Sequence, residues 1–146
     1  MIYFDSSALV KRYVEETGSD RVTSILANAG IIATSKLTYP EILSAFARRH
    51  KVGEIPTKWY TRVIERFETE WEYFLIIEVQ NELLPFIRKT IKEHQLKAAD
   101  SVHLSSALWL RNAVKEDVIF VASDVNLLNA AQSERLQIID PQKGES

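Results

Sequence analysis

Short apolar runs alternate along this chain with longer segments in which apolar residues recur at helical spacing. Five such runs predict β-strands over residues 2–4, 31–34, 74–77, 118–122 and 136–139. The segments between them predict helices that begin near Ser6, Ser19, Thr38, Pro56, Asn81, Ala98 and Asp124. Because strands separated by helices form a parallel sheet covered on both faces, we predict a three-layer α/β/α fold, with one domain over residues 1–146.

The composition is typical of a globular chain. Of 146 residues, 46% are hydrophobic, and glycine and proline contribute four each, which argues against disorder and fibrous repeats. No apolar stretch approaches the roughly 20 residues that span a membrane, and the first residues lack the basic and apolar regions of a secretory signal. The absence of cysteine excludes disulfides, zinc–thiolate sites and cysteine nucleophiles. We therefore expect a soluble cytoplasmic domain.

The net charge is close to neutral, at −2 from 18 basic and 20 acidic residues. This balance counts against a strongly basic nucleic-acid binder. The charge is uneven, however: residues 36–66 hold seven basic and three acidic residues, a local charge of +4 that leaves −6 for the rest. A local basic surface could therefore guide a nucleic acid although the chain as a whole could not.

Four acidic residues stand where open parallel sheets bind ligands, at the carboxyl ends of strands. Asp5 and Asp124 follow the first and fourth strands, and Glu41 and Asp100 lie in the first turns of helices. Each has a structural explanation. Asp5 and Asp124 could simply cap helices, and Asp100 could complement a helix dipole. Glu41 could complete a capping box with Thr38.

Taken together, the acids indicate a metal site. Asp5 and Asp124 follow apolar strands and Asp100 enters an apolar helix, so we expect all three to be at least partly buried. No lysine or arginine is an obvious local partner, and converging carboxylates repel one another unless a divalent cation neutralises them. Oxygen ligands suit Mg²⁺ or Mn²⁺, which also bind phosphate oxygens.

The same segments resemble the PIN-domain family, in particular its single-domain ribonuclease toxins of VapC type. The matching stretches follow one another over nearly the whole chain: residues 2–9 (IYFDSSAL), 37–42 (LTYPEI), 98–104 (AADSVHL), 120–124 (FVASD) and the tail 127–141. Two departures are modest: Ser123 stands where threonine is frequent, and residues 133–136 lack a common glycine.

The resemblance implies a five-stranded parallel sheet of strand order 3-2-1-4-5 and an acidic pocket formed by Asp5, Glu41, Asp100 and Asp124. It also implies that this pocket binds Mg²⁺ or Mn²⁺ and cleaves RNA, which would make the chain a metal-dependent endoribonuclease. Toxins of this kind are held inactive by a small antitoxin protein. Homodimerisation is a further expectation from the family.

The chemistry of phosphodiester hydrolysis is consistent with these acids. The reaction needs an activated water and neutralisation of charge on the phosphate, and a carboxylate-bound divalent ion supplies both. We assign Asp5, Asp100 and Asp124 as direct or water-mediated metal ligands. Glu41 is either an outer ligand or the base that orients the attacking water.

Five further residues are candidates for the surroundings of the site. Ser6 and Ser123 could hydrogen-bond the carboxylates or the scissile phosphate, or could serve only as helix caps. His103 shares a helix face with Asp100 and could orient it or touch substrate, although a histidine in so apolar a helix is more often a core residue. Arg12 and Arg48 belong to basic clusters that could contact RNA phosphates or form a solvated helix face.

Other phosphoryl-transfer chemistries fit this sequence less well. A phosphatase of haloacid-dehalogenase type needs a second aspartate two residues after Asp5, where Ser7 stands. The acid pair and late lysine of a response-regulator receiver are not evident, and glycine-rich phosphate loops are absent. The alternative from another class is a catalytically silent or RNA-processing PIN-domain protein that acts as a scaffold for RNA or protein.

Overall fold

The computed structural model describes residues 1–143, in which strands and helices alternate in the predicted order. The strands are β1 (Ile2–Phe4), β2 (Ile32–Ser35), β3 (Leu75–Ile77), β4 (Ile119–Val121) and β5 (Gln137–Ile139). The helices are α1 (Ser6–Leu9), α2 (Ser19–Asn28), α3 (Thr38–Lys51), α4 (Thr57–Trp71), α5 (Leu84–His94), α6 (Ala98–Val114) and α7 (Val125–Ser133). Two 3₁₀ turns, Val10–Arg12 and Asn81–Leu83, follow α1 and precede α5.

The five strands form one parallel sheet of order β3-β2-β1-β4-β5, which confirms the expected fold. The central strand is β1, in which Tyr3 pairs in register with Ala33 of β2 and Phe120 of β4. Because all strands run the same way, their carboxyl ends meet at one edge of the sheet. At that edge the backbone amide of Asp5 donates to the carbonyl of Val121 at 3.1 Å. The residues after β1 and β4 are thereby brought together.

Side chains of β1 alternate between two separate cores on the two faces of the sheet. Tyr3 faces the core formed with α5, α6 and α7, where it stacks on Phe120 with ring centroids 5.5 Å apart. Phe4 faces the core formed with α1 to α4, which it shares with Phe46 and Phe67. The sheet is therefore covered on both faces, as the sequence predicts.

One helix is shorter than expected. The helix predicted over residues 81–94 is α-helical only from Leu84, and a 3₁₀ turn precedes it. Pro85 lies in the first turn of α5 and has no backbone N–H, so it cannot donate the hydrogen bond that would extend the α-helix backwards. No helix within residues 1–143 combines the length and the apolar character needed to cross a membrane.

Gly18 is the position where we expect the fold to be most sensitive to a single added methyl group. Its φ is +96°, and a Cβ atom there would lie 2.8 Å from the carbonyl oxygen of Pro141. Gly18→Ala should therefore lower the free energy of unfolding by about 1–3 kcal/mol, measured by urea denaturation. Gly30→Ala is the matched control, because a Cβ at Gly30 meets no atom within 4 Å. Equal stability of the two variants would contradict this reading of the turn.

Candidate active site

Asp5 is the most buried of the four acids and is held by its neighbours in the chain. It is 3% exposed and caps α1, because its Oδ1 accepts a hydrogen bond from the amide of Ala8 at 3.0 Å. The Ser7 hydroxyl lies 2.9 Å from both carboxylate oxygens. The serine that binds this carboxylate is thus Ser7 and not Ser6.

The environment of Asp5 disfavours its negative charge. Burial is the main reason that the pKa of Asp5 is raised from 3.8 to about 6, and the charge of Asp100 acts in the same direction. His103 and the hydrogen bonds from Ala8 and Ser7 limit the rise of this pKa. No lysine or arginine within residues 1–143 forms a salt bridge with Asp5. A bound cation would relieve the unfavourable burial of this carboxylate.

Glu41 is held by buried His103, which in turn contacts buried Tyr3. The Nε2 of His103 lies 2.7 Å from Oε1 of Glu41, and its Nδ1 lies 2.8 Å from the hydroxyl of Tyr3. A carboxylate only accepts hydrogen bonds, so Nε2 carries the proton that is donated to Glu41. Burial raises the pKa of Tyr3 well above its usual value, so its hydroxyl stays protonated beside Nδ1. His103 therefore orients Glu41. The sequence suggested instead that His103 orients Asp100 or contacts substrate.

The capping box considered for Thr38 and Glu41 does not form. Thr38 is already the first residue of α3, the preceding Leu37 offers no side-chain cap, and the hydroxyl of Thr38 pairs with that of Thr34 at 2.7 Å. Glu41 is therefore not bound to the start of its own helix. Its carboxylate is available to His103 and to the cavity in front of it.

Asp100 and Asp124 lie at the starts of α6 and α7. Asp100 is partly buried, and burial, followed by the charges of Asp124 and Glu41, raises its pKa. Asp124 caps α7, with Oδ1 accepting from the amide of Leu127 at 2.9 Å. The expectation that Asp124 is buried like Asp5 is wrong: β4 ends at Val121, and Asp124 is exposed where α7 begins.

The charges of Asp124 and Glu41 raise the pKa of Asp100, and the charge of Asp100 raises that of Asp5, but the four carboxylates do not form a closed ligand set. Within residues 1–143, the one group of three potential ligands whose ligand atoms all lie within 4.8 Å of one another is Glu93, His94 and Glu134. An ion among the four acids would therefore have water between itself and some of them. Mg²⁺ suits such a site, because it binds through one or two carboxylates and retains several waters.

Ser123 carries a buried polar atom that the protein itself does not satisfy. Its Oγ is inaccessible and has no hydrogen-bond partner within residues 1–143. An unpaired buried hydroxyl costs about 1–3 kcal/mol. Because this atom is inaccessible, a ligand in the cavity does not reach it in this conformation. The carboxylate oxygens of the acids are the donor set that fits a divalent cation.

Two cavities reach Glu41, Asp100 and Asp124, whereas the buried Asp5 lines neither of them. The larger, which we name the Glu41 cavity, has a volume of about 860 Å³ and is lined by Glu41, Ser6 and Ser123 among others. The smaller, the Asp100 cavity, has a volume of about 490 Å³ and is lined by Asp100 and Asp124. Ser123 lines the first cavity and Asp124 the second, so the turn after β4 borders both. An extended polymer lying across this turn would enter both.

The structure places the two arginine candidates differently. Arg48 lines the Glu41 cavity and donates to Ser44 at 2.8 Å. Arg12 lies outside this cavity and pairs with Glu70 of α4 at 2.9 Å. Its neighbour Lys11 lines the cavity instead and is only 4% exposed. The structure thus brings Arg48, but not Arg12, to the acids.

Two residues of the site were not among the sequence candidates. Ser7 follows Asp5 by two positions, and the run Asp-Ser-Ser before a helix is a usable signal for a hydroxyl near a capping carboxylate. Tyr3 gives no such signal, because a tyrosine within a strand ordinarily indicates core packing. Its contact with His103 spans 100 positions of sequence.

Comparison with known proteins gives a consistent picture. A sequence model of the PIN domain matches residues 2–133. Ribonuclease VapC45 of Mycobacterium tuberculosis is 33% identical over 115 residues, which cover 74% of this chain and 75% of that protein. Two solved structures share the fold at 15% identity. One is a toxin–antitoxin complex from Klebsiella pneumoniae, with a TM-score of 0.69 over 97% of this chain and 98% of the other. The second is FitAB bound to a DNA fragment, with a TM-score of 0.72 over 100% and 99%.

The raised pKa of Asp5 predicts a pH dependence of stability in metal-free protein. The folded chain binds the Asp5 proton more tightly than the unfolded chain, so the stability that this group contributes is complete below about pH 4. It is lost as the pH rises from 3.8 to about 6, and it amounts to about 3 kcal/mol. Asp5→Asn does not titrate and still caps α1, so it should be more stable than wild type at pH 7.5 in EDTA.

Urea denaturation of wild type and Asp5→Asn in EDTA, at pH 4 and pH 7.5, measures this difference. The comparison of the two proteins cancels the titration of all other groups, provided that they are unaffected by the substitution. A stability difference between wild type and variant that is the same at both pH values would show that Asp5 does not titrate in this range.

Proposed function

The chain belongs to the PIN-domain family, and from this we propose that it is an endoribonuclease dependent on Mg²⁺ or Mn²⁺, and the toxin of a type II toxin–antitoxin pair. The observation that carries the proposal is the burial of Asp5 without a lysine or arginine partner, beside three further carboxylates. The ribonuclease activity stated for VapC45 supports the same reaction class.

The metal would be held by Asp5, Asp100 and Asp124, directly or through water. When bound, a divalent ion would lower the pKa of a bound water and act as a Lewis acid toward the phosphate. These three residues fit because their oxygens are the hard ligands that Mg²⁺ and Mn²⁺ prefer and because no salt bridge within residues 1–143 uses them. The acids also disfavour one another's charge, which a cation would offset.

The chain's own residues orient these carboxylates. Two donors fix the plane of the Asp5 carboxylate: the amide of Ala8, and the Ser7 hydroxyl, whose single proton is shared between both oxygens. His103 fixes one oxygen of Glu41, which leaves the other free to accept a proton or to orient a water. Glu41 is thereby suited to act as the base or as an outer ligand. His103 is a positioning residue and not a ligand.

RNA would lie across the turn after β4, in both cavities. The Glu41 cavity offers Arg48 for a phosphate, and Ser6 and Ser123 line the same cavity. Arg12 is paired with Glu70 away from this cavity, so we assign it no contact with RNA. Such local contacts suit a chain whose net charge is only −2.

The partners follow from the same proposal. The Klebsiella pneumoniae structure is a toxin–antitoxin complex with the same fold, and this supports a small antitoxin as the partner that holds the chain inactive. We also propose a homodimer, which is the expectation from the family. The cytoplasm is where we expect the chain to act on RNA.

A catalytically silent scaffold is the second candidate function. A scaffold would have no need of a buried Asp5 whose ionised form is disfavoured, or of a buried histidine that orients Glu41. The burial of Asp5 carries an energetic cost that binding alone does not require. We therefore favour the enzyme.

Loss of the acids should abolish metal-dependent cleavage. Wild-type protein should cut a random-sequence RNA pool with Mg²⁺ or Mn²⁺ and not with EDTA. Asp5→Asn and Asp100→Asn should reduce the rate by on the order of 100-fold or more, because each removes a charge that binds the ion. Asp20→Asn is the matched control, since Asp20 is an exposed acid in the first turn of α2. If both site variants cut as fast as wild type, the acids do not form the active site.

The two nitrogens of His103 can be tested separately. In His103→Gln the side-chain amide reaches the position of Nε2 and can still donate to Glu41. In His103→Asn the amide reaches only the position of Nδ1, beside Tyr3. We expect the glutamine variant to stay within about threefold of wild type in kcat and the asparagine variant to lose about 10- to 100-fold.

Both variants remove the same ring from the core, so a merely structural role would affect them equally. Circular dichroism and urea denaturation confirm that each variant is folded before its rate is measured. Equal losses of kcat in the two variants would show that His103 acts only through packing.

A further inference from the structure

Part of the lining of the Asp100 cavity has no role in the proposed reaction. The cavity lies between the end of α5, the start of α6 and the exposed face of α7. Asp100 and Asp124 form one part of its lining, and Asn126, Asn129 and Lys97 form another. Its volume of about 490 Å³ lies within the range of roughly 300–1,000 Å³ typical of small-molecule pockets.

The two asparagines present unused hydrogen-bonding groups to this cavity. Asn126 and Asn129 lie three positions apart on α7, so their side chains share a face of the helix. Both are exposed, and neither side chain hydrogen-bonds any residue within 1–143. Each amide therefore offers two donors and an acceptor to a ligand. By contrast, Asn28 donates to the carbonyl of Ser24 in its own helix.

The basic side chains of the Glu41 cavity already have partners within the protein. Lys11 pairs with Glu16 at 2.8 Å, and Arg49 pairs with the same carboxylate. Arg48 is bonded to Ser44. Half of the other residues that line this cavity are apolar. The Glu41 cavity can thus receive a strand by shape and charge, but its cations are already bound within the protein and are not free to read a base.

The asparagine side of the Asp100 cavity suits the base of a nucleotide. The cation proposed at Asp100 and Asp124 would take up the cleaved phosphate, and the uncharged base of the adjacent nucleotide can then face the amides of Asn126 and Asn129. The edge of a base carries donors and acceptors side by side, which an asparagine amide matches with paired hydrogen bonds. In single-stranded RNA the base edges are free for such contacts. Lys97, which forms no salt bridge within residues 1–143, can meet the backbone of the same nucleotide.

We propose that the Asp100 cavity binds the RNA base adjacent to the cleaved phosphodiester, and that Asn126 and Asn129 determine which base is accepted. The inference rests on the proposed ribonuclease function and adds to it the residues that give sequence preference. The asparagines contact substrate in this proposal and take no part in the chemistry.

The test compares cut-site preferences. A random-sequence RNA pool is cleaved with Mn²⁺, and sequencing of the product ends gives the base frequencies on both sides of the cut. Wild type should favour one base at an adjacent position by about tenfold, the discrimination expected of a paired amide contact. The Asn126→Ala/Asn129→Ala double variant should reduce that preference to about twofold or less while continuing to cut.

Asn112→Ala is the matched control, because Asn112 is an exposed asparagine that lines a different cavity. It should keep the wild-type preference. A double variant that cuts with the wild-type preference would overturn the inference and leave the ribonuclease function standing, as would a wild type with no adjacent preference. Failure of wild type to cut any RNA in the pool would instead overturn the ribonuclease function, and this inference with it.

Discussion

The burial of one carboxylate at the end of the central strand is the constraint on which the rest of the site depends. β1 lies between β2 and β4, so the residue that follows it is covered by neighbours on both sides. Burial therefore raises the pKa of Asp5, and Ser7, Ala8 and His103 only partly offset this effect. The charge of Asp100 raises the pKa of Asp5 further. The fold therefore holds an excess of negative charge at this site, and a bound cation would neutralise it.

Features that depend on short stretches of sequence were predictable. The strands and helices lie within a few residues of their expected bounds, and the parallel sheet brings Asp5 and Asp124 to one edge as expected. The link from Tyr3 through His103 to Glu41 was not predictable. Its two hydrogen bonds join residues 100 and 62 positions apart. They depend on how α6 is rotated against the sheet, which periodicity alone does not determine in a helix that is apolar on most sides.

Arg12 and Asp124 do not lie where the sequence predicts, and the reason in each case is the local course of the backbone. Lys11 and Arg12 lie in a 3₁₀ turn, where successive side chains are about 120° apart instead of the 100° of an α-helix. Lys11 is thereby buried in the wall of the Glu41 cavity, and Arg12 reaches Glu70 on α4. Asp124 follows an apolar run that continues past the last residue of β4. The hydropathy of the sequence predicts a buried strand over this run, but it does not show that the chain reaches the surface within three residues of Val121.

Structural and chemical roles of an acid at a strand end do not exclude each other. Asp5 and Asp124 both cap helices, which is the structural role considered for them from the sequence. In each, only Oδ1 accepts the hydrogen bond from the capped backbone amide. An ionised carboxylate has about four lone-pair sites, so capping orients the group and leaves other sites free for an ion or its waters. Glu41 shows the converse. In a capping box its carboxylate would be directed to its own helix, but with Thr38 bound to Thr34 it is held by His103 beside the cavity. What decides the function of such an acid is therefore how many of its lone pairs the local structure uses, and not whether it caps.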